Sequence, residues 1–115
     1  MGILFYGSSS EPTLVPDSVL AHLKVVVATK LRRGESFTLS WRHTDAAEPG
    51  RTTLWLQPAI PLRFVFDTAE PEALNPGVLK DMANQANSSA GLTIDLNADL
   101  PAASSTAPAR PVRAA

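Results

Sequence analysis

Proline is the feature that most limits what this chain can fold into. Ten occur in 115 residues, about twice the usual share. A proline inside a helix removes a hydrogen bond and clashes with the preceding turn. Spread along the chain, they exclude long helices and coiled coils and favour short elements. The length suits one domain and leaves little room for an enzyme that carries its own cofactor fold. The segment 99–115 is rich in Pro, Ala and Ser and has no aromatic residue. It cannot bury enough apolar surface to offset the entropy of ordering it. A disordered tail is therefore expected there, with the folded domain in residues 1–98.

Within that unit the hydrophobic period alternates. Ile3 to Tyr6 reads as a strand closed by Gly7-Ser8-Ser9-Ser10, and Thr13 to Val15 as a second strand of a hairpin. Asp17 is placed to cap a helix over 17–33, where Leu20, Leu23, Val27 and Leu31 form one stripe. Lys30, Arg32 and Arg33 suit its negative C-terminus, and Gly34 its C′ position. Three period-two runs follow: Phe37 to Arg42, Thr53 to Gln57 and Leu62 to Asp67. Joined by short links, they are expected to pair as an antiparallel meander. Asn75 and Pro76 then open a second helix carrying Leu79, Met82 and Ala86, and Leu92 to Leu96 is a last strand. The expected fold is α+β, in the order β-β-α-β-β-β-α-β, with an antiparallel sheet backed by two helices.

Recognised catalytic arrangements are absent from the pattern. With no cysteine, there is no disulfide, thiolate nucleophile or cysteine metal site. Ser8 to Ser10 lack the Gly-x-Ser-x-Gly elbow, and neither phosphate-loop motif occurs. His22 and His43 are expected to be solvated or on a helix surface. Asp67, Glu70 and Glu72 lack the alternation of a calcium loop. No catalytic residue, metal or cofactor is expected. The longest mostly apolar helical run, Val25 to Ala28, is far too short to span a bilayer, and the first residues lack the basic start of a signal peptide. A cytoplasmic location without a membrane partner is expected.

Charge is more informative. The total is −1, but residues 24–63 hold seven basic and three acidic side chains, a net of +4. Residues 64–99 hold six acids and one lysine, a net of −5. In the meander, one sheet face takes Phe37, Leu39, Trp41, Leu54, Leu56, Leu62, Phe64 and Phe66. The other takes Thr38, Ser40, Arg42, Thr53, Trp55, Gln57, Arg63 and Val65. An exposed ring among hydroxyls and arginines is a surface on which bases can stack while arginines meet phosphates. The candidate contacts are Trp55 for stacking, Arg42 and Arg63 for anions, and Lys30, Arg32 and Arg33 for steering. The expected role is a non-catalytic binding or interaction module, for a protein partner or a further copy of the chain. Single-stranded nucleic acid is the alternative ligand.

Several segments also resemble a family of small actinobacterial proteins of unknown function. They are Tyr6-Gly7-Ser8-Ser9-Ser10, Leu20-Ala21-His22-Leu23-Lys24, Lys30 to Phe37, Ser40-Trp41, Leu54-Trp55-Leu56 with Pro58 and Ile60-Pro61-Leu62, and Ala86-Asn87-Ser88-Ser89 with Gly91-Leu92. Members of that family often carry the label "ATP-dependent DNA ligase". Ligase adenylation resembles a Lys-x-Asp-Gly chemistry, and none of Lys24, Lys30 or Lys80 sits in that setting. No ligase residue carries over, whereas an accessory nucleic-acid-binding role requires no such motif.

Overall fold

The structure is a computed structural model that describes residues 1–8 and 11–97. The tail expected at 99–115 lies outside the described residues, as do Ser9 and Ser10. Eight elements follow one another: β1 (Gly2–Tyr6), β2 (Thr13–Val15), α1 (Asp17–Arg32), β3 (Phe37–Arg42), β4 (Arg51–Leu56), β5 (Leu62–Val65), α2 (Pro76–Ala86) and β6 (Leu92–Ile94). The fold is α+β, and the element order is the expected one.

Local signals explain the helix ends. The chain leaves α1 through Gly34, whose φ is +74°. Glu35 N–H reaches Lys30 O at 3.1 Å and Gly34 N–H reaches Leu31 O at 3.0 Å, the crossed pair of a Schellman turn. Asn75 caps α2, its Oδ1 accepting from Gly77 N–H and Val78 N–H, with Pro76 next in the chain. The entry to α1 differs from expectation. Pro16 takes the cap position at φ −54°, ψ 139°, without a side-chain bond. Asp17 therefore falls inside the first turn, where its charge still suits the helix dipole. Its Oδ2 accepts the distant Asp67 N–H at 3.2 Å instead.

The meander is the main correction. The strands form two sheets, in the orders β2-β1-β5 and β4-β3-β6. β3 and β4 pair antiparallel as expected, but β5 leaves them and pairs antiparallel with β1. β6 joins the other side of β3 in parallel. Alternation dictates which face a residue occupies, not which strand lies beside it. The β1–β2 hairpin by itself would be marginal, and β5 supplies the third strand it needs. The link from β4 helps: Gly7 N–H binds Pro61 O at 2.8 Å, which delivers the chain to the end of β1.

The inner faces of both sheets meet the helices. Leu20, Leu23, Leu39, Leu56, Leu92 and Val15 are the most completely buried side chains apart from His22. His22 corrects a second expectation, because it is only 1% exposed. Its Nδ1 lies 2.6 Å from Ser18 O, and its Nε2 accepts Asn75 N–H at 2.9 Å. Through these two contacts the ring ties α1 to the start of α2. Among the described residues, no helix is long and apolar enough to cross a membrane.

Candidate binding face

The outer face of β4-β3-β6 carries two of the candidate residues, Trp55 and Arg42, and its geometry follows from the ladder. His43 N–H binds Gly50 O at 2.8 Å, which makes that position a hydrogen-bonded pair. Antiparallel pairs alternate in type. The pairs Arg42–Arg51, Ser40–Thr53 and Thr38–Trp55 are therefore the close, non-hydrogen-bonded ones, with Cα atoms about 4.5 Å apart. The 2.8 Å contact between Ser40 Oγ and Thr53 Oγ1 agrees with this. Thr93 of β6 stands on the far side of Ser40, so three hydroxyls cross the sheet in one row.

Trp55 occupies one end of this surface and is 57% exposed. Its carbonyl points away from β3 and accepts a hydrogen bond from Tyr6 Oη of the other sheet. That contact anchors the backbone under the ring and covers part of the β4 edge. Arg42 and Arg51 occupy the opposite end, four residues away or about 14 Å at the usual strand rise. Both are exposed. Among the described residues the ion pairs are Met1 N-terminus–Asp67 and Lys30–Glu35, so neither arginine is in one. Asp95 shares a shallow cleft with Arg42 and His43 without closing to a bond. Like charges directly opposite each other on a sheet are unfavourable, and an added anion would relieve them.

The other predicted residues are distributed differently. Arg63 belongs to β5 in the second sheet, opposite Phe5, with its guanidinium 4.2 Å from the ring centroid. It does not share a surface with Trp55. Lys30 is 8% exposed and turned inward. Its Nζ donates to Asn87 Oδ1 at 2.6 Å and meets Glu35 Oε1 at 2.8 Å. That hydrogen bond holds the Glu35 carboxyl below its ordinary value. Lys30 therefore joins α1 to the end of α2, and its charge is already occupied. Arg32 and Arg33 are exposed at the end of α1, a short loop before β3 and so near its Thr38 end. Arg51 is a member that the face reading from sequence omits. It continues the parity of Thr53 and Trp55 by one step, and that parity is the signal for it.

A second concavity, about 560 Å³, opens between the sheets beside Tyr6, Trp41, Leu54 and Leu96, with Asp45 and Glu48 among its lining. His43 lies there too, its Nε2 2.8 Å from Thr52 Oγ1 and its Nδ1 3.3 Å from Glu48 O. These contacts hold the ring but supply no carboxylate to orient it as a base. Among the described residues, no group of three or more His, Cys, Asp or Glu side chains could hold a metal ion.

Residues 1–97 match a family described as a domain of unknown function (DUF7882). No curated protein and no solved structure matches the chain.

Proposed function

The chain belongs to the DUF7882 family, and since that membership brings no known activity, we propose that the protein is a non-catalytic binding module working through the outer face of β4-β3-β6. The observation that carries this reading is the exposed Trp55 ring, on the same face as the close Arg42–Arg51 pair. A large ring held in water by an anchored strand is a contact surface in search of a partner. Between a protein and a single-stranded nucleic acid, the paired arginines favour the second. They place two cations where a phosphate can bridge them, and any base can stack on the ring. An accessory role in DNA metabolism is the finer form of this reading and rests on the resemblance to ligase-labelled proteins. We place the protein in the cytoplasm.

The test is a fluorescence titration with a single-stranded oligonucleotide at several salt concentrations. Trp41 is buried, so quenching reports chiefly on Trp55. One phosphate bridged by both arginines should give a slope of log affinity against log salt of about −0.7, and replacing both Arg42 and Arg51 by alanine should flatten it. Trp55→Ala, which removes the reporting ring and is followed instead by the anisotropy of a labelled oligonucleotide, should weaken binding by about 1–3 kcal/mol. Absence of binding at low salt would refute the nucleic-acid reading. If Trp55 in the isolated protein is shielded from acrylamide, the open face itself is refuted.

A further inference from the structure

The outer face of β2-β1-β5 is a second surface, and it is apolar. Register sets Leu14, Ile3 and Val65 abreast in one row, with Phe5 beside Arg63 two residues along. Leu4 and Val15, which alternate with these, are buried on the helix side. Leu14 is 55% exposed and Val65 38%. Antiparallel strands with one face in water normally turn polar side chains outward. Three aliphatic side chains abreast break that rule in a way typical of the inner face of a sandwich.

We infer that this face packs against the same face of a second copy of the chain. Charge placement selects that occupant. Along β5 and its continuation, Arg63, Val65 and Asp67 are two residues apart, so a cation and an anion flank the aliphatic row at equal distances. A two-fold axis in the interface, running across the strands through Leu14, Ile3 and Val65, lays this row on its own copy. The same rotation brings each Arg63 over the partner's Asp67, giving two identical ion pairs. Such self-complementarity is what an isologous dimer requires. The Phe5 ring beneath Arg63 keeps its guanidinium over the sheet. The Asp67 side chain binds the N-terminal amine yet remains 57% exposed. From strand spacing and rise, the face measures about 14 by 17 Å. That is small for a specific interface, and a micromolar dimer is expected.

Analytical ultracentrifugation of the full chain tests this inference over about 1–500 µM, a range that brackets micromolar affinity. The mass should rise from 12.2 kDa toward twice that value. Val65→Lys should leave a monomer throughout, with Leu14→Lys as the second variant if the first does not fold. Arg63→Asp should weaken the dimer at least tenfold, and combining it with Asp67→Arg should restore most of the loss. Thermal melts establish that each variant is folded. A wild-type monomer at every concentration, a dimer indifferent to both lysine variants, or no rescue by the charge swap overturns the inference. Trp55→Ala is expected to leave dimerisation unchanged, so loss of the dimer there would also overturn it by moving the interface to the other sheet.

Discussion

His22→Ala is the most demanding test of how the two helices are joined. In the folded protein the imidazole is 1% exposed and bridges Ser18 O to Asn75 N–H, across 53 residues of sequence in the second case. Ser18 O retains its place in the helical ladder after truncation, so little is lost there. Asn75 N–H loses the acceptor facing it, and stranding this part-buried donor costs about 1–3 kcal/mol. The space left by the ring adds a packing loss of about 2 kcal/mol, at the low end for large-to-alanine changes in a core. The total is about 3–5 kcal/mol, a large share of the stability of a domain this size. Urea unfolding followed by far-UV circular dichroism measures it, and the melting temperature should drop by about 15–30 °C. Two companions separate the terms. His22→Leu refills the space but cannot accept, so it should recover the packing part only. His22→Gln retains an acceptor and should be the mildest of the three. A His22→Leu protein as stable as wild type would refute the role of the Asn75 bond. An alanine cost below about 1 kcal/mol would refute the whole argument, since that is the scale of an ordinary surface change.

Four further outcomes are expected. Gly91 has φ +78°, and an added Cβ would overlap Thr38 Oγ1 and stand 2.9 Å from Thr38 O. Gly91→Ala should therefore cost about 3 kcal/mol or more in denaturant unfolding, beyond the roughly 1–2 kcal/mol of a left-handed alanine alone. Gly34→Ala has the same sign of φ but nothing within 4 Å, and should cost only that backbone part, about 1 kcal/mol. For Glu35, the hydrogen bond from Lys30 lowers the folded carboxyl below its ordinary value. Its contribution is thus present above the unfolded value, near pH 4, and fades as pH falls through the folded one. The stability gap between wild type and Glu35→Gln should accordingly narrow on acidification, and a gap that widens would reverse the assignment. Trp55→Ala should change stability by no more than about 0.5 kcal/mol while weakening oligonucleotide binding by about 1–3 kcal/mol, as judged by parallel melts and titrations.

The sequence by itself determined the local structure and the sidedness of the strands. The stripe through Leu20, Leu23 and Val27 suffices for α1, and Gly34 for its end. Asn75 and Pro76 suffice for the start of α2, because capping acts over a few residues. Alternation placed Phe37, Leu39 and Trp41 inside and Arg42 and Trp55 outside, because successive strand side chains must point to opposite faces. Tertiary structure alone decided neighbours. Whether β5 lies beside β4 or β1 depends on which pairing completes a sheet over the helices, and both options satisfy the same alternation. That choice moved Arg63 away from Trp55 and onto the apolar face with Val65. Long-range partners also decided what individual charges and rings do. Lys30 follows every rule for an exposed helix-end cation, yet Asn87, 57 residues on, draws it inward beside Glu35. His22 lies beside an apolar stripe in sequence, and only the arrival of Asn75 makes it a buried acceptor. Periodicity and caps act through bonds and packing within a few residues, whereas a charge or imidazole takes its role from whatever the fold brings against it.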